Sequence, residues 1–311
     1  MAVGMGNGVA AGALWGLVFL APAVLHAFSA VQLSAGRYLI YGLVALVLLL
    51  PRWKRLAPRL GRAEWGALLW LSLAGNLVYF LLLATAVQWA GGAAASLIVG
   101  LVPVVVTLVG ARDEGALPLT RLLPALLLCV LGVGLVGYES LLSEHLDSPW
   151  QQRVLGLLCA FGALLSWALY SVGNSRWLAR RPDLSGHDWS LLTGVITGAL
   201  ALLLVPVAFA GEGDPSGEMS WGLFWAVCSA VAVLASVIGN ACWNRASRHL
   251  PLTLSGQMIV FETLFALAYG FAWQRRWPTL LEAVAVCCLV AGVLFCAHAH
   301  RTPTVAPCRA G

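Results

Sequence analysis

Glu262 is the one charged residue in an otherwise apolar run, Leu252–Ala272. At about 1.5 Å rise per residue the run is long enough, as a helix, to cross a hydrocarbon layer of about 30 Å. A carboxylate at the centre of such a layer costs at least about 2.5–3.5 kcal/mol, so it must face protein or a wet cavity rather than lipid. Ser255, Glu262 and Tyr269 recur seven apart and share a helical face, with Met258, Ile259, Phe265 and Ala266 beside them. Such a face can handle a proton or hold a solute's polar group. The plain alternative is a structural carboxylate satisfied by a neighbour.

Arg37 is the second charge placed inside an apolar run. Its guanidinium fork suits a solute carboxylate, whereas near the end of a span the same long side chain can simply snorkel to the headgroups. Trp15, Trp167, Tyr79 and Tyr170 offer ring faces that would line a cavity for an apolar or cationic solute. Packing between helices accounts for these rings equally well. Asn76, Asn240 and Ser236 offer polar groups that either bind a solute or bond across helices, the latter worth about 0.6 kcal/mol on average. The expected substrate-binding set is Trp15, Arg37, Asn76, Tyr79, Trp167, Asn240 and Glu262.

The elements that must position these residues are membrane spans. Of 311 residues 60% are hydrophobic and only 10% charged, against roughly 25% charged in a soluble domain. The formal net charge of +5 does not point to nucleic acid, because the basic residues sit in short loops between apolar runs. A cleaved leader is not expected, since no Lys or Arg precedes the first apolar run and many more runs follow it. Ten spans are expected, near residues 7–25, 31–50, 64–86, 93–111, 120–138, 154–174, 189–210, 221–244, 252–272 and 280–299.

With the N-terminus inside, fourteen basic residues fall on the inner side, Arg52, Lys54, Arg59 and Arg181 among them. Only Arg153, Arg275 and Arg276 fall outside, where Glu139, Glu144, Asp147, Glu212, Asp214 and Glu218 also lie. Both termini are therefore expected in the cytoplasm. Trp65, Trp89, Trp150, Trp189, Trp221, Trp273 and Trp277 fall near span ends, as an interfacial aromatic belt requires.

The chain also repeats itself. Trp65-Gly66 opens the third span as Trp221-Gly222 opens the eighth; Leu14-Trp15-Gly16 is echoed by Ser166-Trp167-Ala168, and Leu50-Pro51 by Val205-Pro206. Each unit holds five spans, and an odd number turns the second copy upside down. The expected fold class is thus an all-α membrane protein of ten transmembrane helices in two inverted five-helix repeats, residues 1–150 and 151–311, with the solute site near the midplane between them. Ser72, Asn76 and Tyr79 of the third span, Ser96, Gly100, Pro103 and Thr107 of the fourth, and Ser229, Ser236 and Asn240 of the eighth mark helices expected at that site. The fifth and tenth, whose polar mid-span residues are only Cys129, Cys287 and Cys288, belong at the periphery.

Trp15-Gly16, Arg37, Ser166-Trp167-Ala168-Leu169-Tyr170-Ser171 and Glu262 resemble the pattern of the drug/metabolite transporter superfamily, the ten-helix EamA-type exporters. The resemblance covers essentially the whole chain. It implies export of small organic metabolites from the bacterial inner membrane, and its aromatic content is most similar to the branch that exports aromatic and other neutral amino acids. One departure stands out: Thr263 follows Glu262, where the family's second repeat usually has Pro.

Other chemistries find little support. The eight cysteines include no CxxC pair, and His298 and His300 have no partner cluster, so neither a metal nor a cofactor is expected. Neither GxSxG nor GxxxxGK[ST] occurs, which leaves gradients, a proton gradient included, as the energy source. The expected partners are a small-molecule solute and membrane lipid, with the protein a monomer or weak dimer. Multidrug export is the alternative within transport; a membrane enzyme or a lipid scramblase is the alternative outside it.

Overall fold

The computed structural model describes residues 2–102, 104–105, 119–142, 149–210, 220–249 and 252–299. They form ten main helical runs, with short helical turns (Leu50–Arg52, Trp53–Leu56 and Ala57–Arg59) between the second and third, and no strand among the described residues. These are α1 (Ala2–Val24), α2 (Ala30–Leu49), α3 (Arg62–Ala90), α4 (Gly92–Val99), α5 (Leu119–Leu142), α6 (Trp150–Arg180), α7 (Gly186–Phe209), α8 (Trp221–Val231 continuing through Ala232–Gly239 to Asn240–His249), α9 (Leu252–Gln274) and α10 (Leu280–Ala299). Seven of these runs are long and apolar enough to cross a membrane, while α9 and α10 contribute the shorter apolar stretches Ile259–Gln274 and Leu280–Gly292. The end of the fourth expected span, residues 106–111, lies outside the described residues; the other nine match to within six residues. The largest difference among them is α6, which carries on to Arg180 through a polar last turn-and-a-half that hydropathy alone would not include in a span.

Two of the ten are not plain α-helices. In α3 the stretch Leu73–Val78 is π-helical, and in α8 so is Ala232–Gly239. A π stretch carries extra backbone that breaks the i to i−4 ladder and frees carbonyls for other donors. Both are used that way. Ser166 Oγ donates to Ala74 O at 2.7 Å and Tyr38 OH to Asn76 O at 3.0 Å, while Trp15 Nε1 donates to Ala235 O at 3.1 Å.

Helix pairing follows one rule. α1 packs on α8 and α9; correspondingly α6 packs on α3 and α4. α2 pairs with α7 and α5 with α10. Moving every helix five places along the chain reproduces the same contacts, as an internal two-fold relation does. The closest approaches are made by glycines, which let backbones meet. A Cβ on Gly42 of α2 would stand 2.5 Å from the Cα of Gly198 in α7, and one on Gly12 of α1 would stand 2.9 Å from the Glu262 backbone nitrogen in α9. The stripe Gly4, Gly8, Gly12 and Gly16, buried along α1, was the signal for that second contact.

The peripheral placing of α5 and α10 agrees with exposed Leu127, Val130, Leu280 and Phe295. One aromatic expectation fails. Trp65, Trp150, Trp221, Trp273 and Trp277 are exposed, but Trp189 is buried, stacked on Trp177 at 6.2 Å with its Nε1 donating to Asn174 Oδ1 at 2.9 Å. It closes the packing of α6 on α7 instead of sitting at an interface. Pro103, Thr107 and the acids Glu144, Asp147, Glu212, Asp214 and Glu218 lie outside the described residues, as do the side chains of Ser255 and Met258.

Candidate substrate site

Arg37 of α2 is the centre of the site. It does not snorkel: only 7% of the residue is exposed. Its guanidinium lies 4.4 Å from the centre of the Phe80 ring of α3 and 5.0 Å from that of Tyr38, so aromatic rings back it on one side. Nη2 donates to Ser236 Oγ of α8 at 3.3 Å. Nε and Nη1 are buried and donate to no described group. A buried ionised donor without a partner is rare and calls for an explanation.

Glu262 faces the same place from α9. The close α1–α9 packing that the glycine stripe permits brings its helix inward. Glu262 is half-buried, makes no hydrogen bond or ion pair with a described residue, and acts electrostatically on Tyr79, itself 6% exposed, and on Arg37. Tyr79 and Phe80 are adjacent in sequence yet both turn inward, directly after the π stretch of α3. Three of the expected residues, Arg37, Tyr79 and Glu262, are therefore brought together from three helices drawn from both ends of the chain.

The other four are placed differently. Asn76 Nδ2 donates to Thr197 Oγ1 of α7 at 3.0 Å, and Asn240 stands near Tyr41 of α2, whose hydroxyl donates to Ser190 O of α7 at 3.0 Å. Both amides lie at the edge of the cluster, where α2, α3 and α8 meet α7. Trp15 lies against Gly239 of α8 with its ring 5.2 Å from Trp243, and Trp167 pairs with Tyr170 at 6.2 Å. Tyr170 in turn covers Gly75 in the π stretch of α3. Thr263, standing where the family usually has proline, packs on Gly100, the C-cap of α4, and α9 runs through it as a continuous helix.

Sequence reasoning missed Ser236 as a partner of Arg37, and it missed Tyr38 and Phe80 altogether. Ser236 lies within the π stretch of α8, Phe80 follows that of α3, and Tyr38 bonds a carbonyl in the latter; a fixed 3.6-residue period cannot register a π stretch. The twin dipeptides Gly75-Asn76 and Gly239-Asn240, each lying in or closing a π stretch, were the available signal.

The two ends of the bundle differ. At the basic end, Arg181 at the close of α6 pairs with Glu64 of α3 and Asp183, and donates to Arg59 O at 3.0 Å. Arg52 pairs with Asp188 at 3.1 Å. At the opposite end a cavity of about 540 Å³ opens between the α3–α4 turn, α5 and the α9–α10 connection. Its wall carries Glu139 and the pair in which Arg276 grips Glu282 through two bonds of 2.6 Å. Among the described residues no group of three His, Cys, Asp or Glu side chains is arranged to hold a metal.

Comparison with known proteins places this geometry. The EamA-like transporter family profile matches residues 2–138 and again 154–297. The chain is 33% identical over 299 residues to the inner membrane protein YtfF of Escherichia coli (strain K12), covering 93% of each. It is 22% identical over 158 residues, about half of each chain, to the uncharacterized transporter YoaV of Bacillus subtilis (strain 168). One crystal structure shares the fold at a TM-score of 0.62 and 20% identity, over 96% of this chain and 99% of that one.

Proposed function

The chain belongs to the EamA-like transporter family and is a multi-pass membrane protein, and from that premise we propose that it exports small organic metabolites, aromatic or other neutral amino acids foremost, across a bacterial inner membrane. The observation that carries the reading is the charged group inside the bundle: Arg37, Tyr79 and Glu262, drawn from α2, α3 and α9. Charges at such depth are costly in a span, and transport pathways are where membrane proteins keep them. The double match of the family profile and the exchange of helix contacts support two five-helix units, residues 1–150 and 151–311. Five spans per unit would invert the second relative to the first, the plan of an alternating-access carrier.

In this reading the basic end faces the cytoplasm. Trp15, Trp167 and Tyr79 line the path, Asn76 and Asn240 hold its edge, and Arg37 and Glu262 meet the solute. The test is flux into liposomes of purified protein, with a panel of labelled amino acids, sugars and cationic drugs, with and without an imposed pH gradient. Saturable flux of neutral amino acids is expected. Saturation by a quaternary amine alone would refute the amino-acid assignment in favour of multidrug export, and dependence on the pH gradient would reveal proton coupling.

A further inference from the structure

We propose that Arg37 and Glu262 together read a zwitterion, the solute's carboxylate lying in the guanidinium fork and its ammonium on the Glu262 carboxylate. The inference rests on the cluster being the transport site and narrows the solute class that the site accepts.

The argument starts from the hydrogens. A guanidinium has five N–H donors in a rigid fork. Ser236 Oγ engages Nη2, which carries two of them. Whichever of the two is used, the other completes a pair with Nε or with Nη1, and both of those donate to no described group. One two-donor edge of Arg37 is thus always free, and a two-donor edge is the shape that a planar carboxylate fits. Phe80 and Tyr38 lie against one side of the guanidinium, their ring centres 5.8 Å from each other, and neither ring takes up its free N–H donors.

Glu262 completes the logic. It is half-buried, hydrogen-bonds no described residue, and shares the site with Arg37 without touching it. The other described groups that act on the pair, Tyr38 and Tyr41 from α2, Tyr79 from α3, and Cys228 and Ser236 from α8, are neutral ones. The site therefore presents one positive and one negative group in low-dielectric surroundings. An organic cation satisfies Glu262 but faces Arg37 uncompensated; an organic anion does the reverse. A zwitterion answers both at once and leaves the total charge of the site unchanged.

The experiment uses four solutes on one skeleton: L-phenylalanine, phenylethylamine, L-phenylalaninamide and 3-phenylpropionate, each assayed for flux in liposomes. Removing either charged group should lower kcat/KM by at least about 100-fold, as buried polar groups left unpaired do in sites built to bind them. Arg37→Lys, which keeps the charge and loses the fork, should erase most of the preference for phenylalanine over its amide. In parallel, the Nε–H resonance of Arg37, identified by its loss in Arg37→Lys, should shift on addition of a mixture of L-amino acids and stay in place with the corresponding amines. Equal flux of the amine or the amide would overturn the zwitterion assignment while leaving the carrier reading intact. No flux of any solute, with the resonance moved by amino acids alone, would support the subsite and remove the carrier reading. An unmoved resonance overturns the inference whatever the flux.

Discussion

Glu262 and Arg37 were legible as residues because a charge inside an apolar run has few innocent explanations. What surrounds them was not. Distance from the end of a span suggested that Arg37 could escape to the headgroups, and only the packing of α3 and α8 across it shows that it is enclosed. Trp189 was misread for the same reason, since proximity to a span end says nothing about which helix lies alongside. Glu262→Gln should reduce flux by at least about tenfold with membrane insertion unchanged, the loss expected when a group that exchanges protons or meets charge is neutralised. Equal flux per inserted molecule in liposomes would show the carboxylate to be structural. Ser236→Ala should raise KM several-fold with little change in maximal rate, because it frees the Arg37 fork from its anchor, and Ser236→Thr should restore it. A fall in maximal rate that threonine does not repair would place Ser236 outside this role.

At the scale of the element, the spans could be read to within a few residues because their hydrophobicity is unbroken, and the missing features are those that hydropathy averages away. A π stretch changes the register of a helix without changing its composition, so Leu73–Val78 and Ala232–Gly239 left no trace in a window count. Close crossings are another such feature: one glycine in a glycine-rich span looks like any other until its neighbour is known. Gly198→Ala would set a methyl 2.6 Å from the Cα of Gly42, an overpacking that should lower stability by about 1–3 kcal/mol. Gly66→Ala, with nothing within 4 Å of the new methyl, should be neutral or raise stability by up to about 1 kcal/mol. Thermal unfolding of the two variants in detergent checks the contrast; indistinguishable transitions would mean that α2 and α7 part easily.

For the whole molecule, the repeat was visible in short echoes such as Trp65-Gly66 and Trp221-Gly222, whereas the contacts between the units had to be seen. At the basic end those contacts are ionic and join the two matched stretches: Arg181 to Glu64, Arg52 to Asp188, and Arg59 to the carbonyl of Asp183 at 3.1 Å. The bond from Arg181 holds the Asp183 carboxyl below its ordinary range, with the Arg181 charge and that of Arg59 adding to the effect. A depressed carboxyl stabilises above its unfolded value near about 3.9, and the contribution fades as pH falls below that. Paired labels across this end should therefore separate below about pH 4 and in high salt, and Arg181→Ala should separate them at neutral pH. Constant label distances under all three treatments would show that the ion pairs do not hold the end closed.

The crossing of α2 and α7 has a mechanical corollary. Where Gly42 meets Gly198 there are no side chains between the backbones to slide or repack, so the units can swivel about that point but hardly translate there. Displacement during a working cycle would grow with distance from it, as along the arms of a pair of scissors. Reporters placed beside the rivet would stay silent while those at the tips swing.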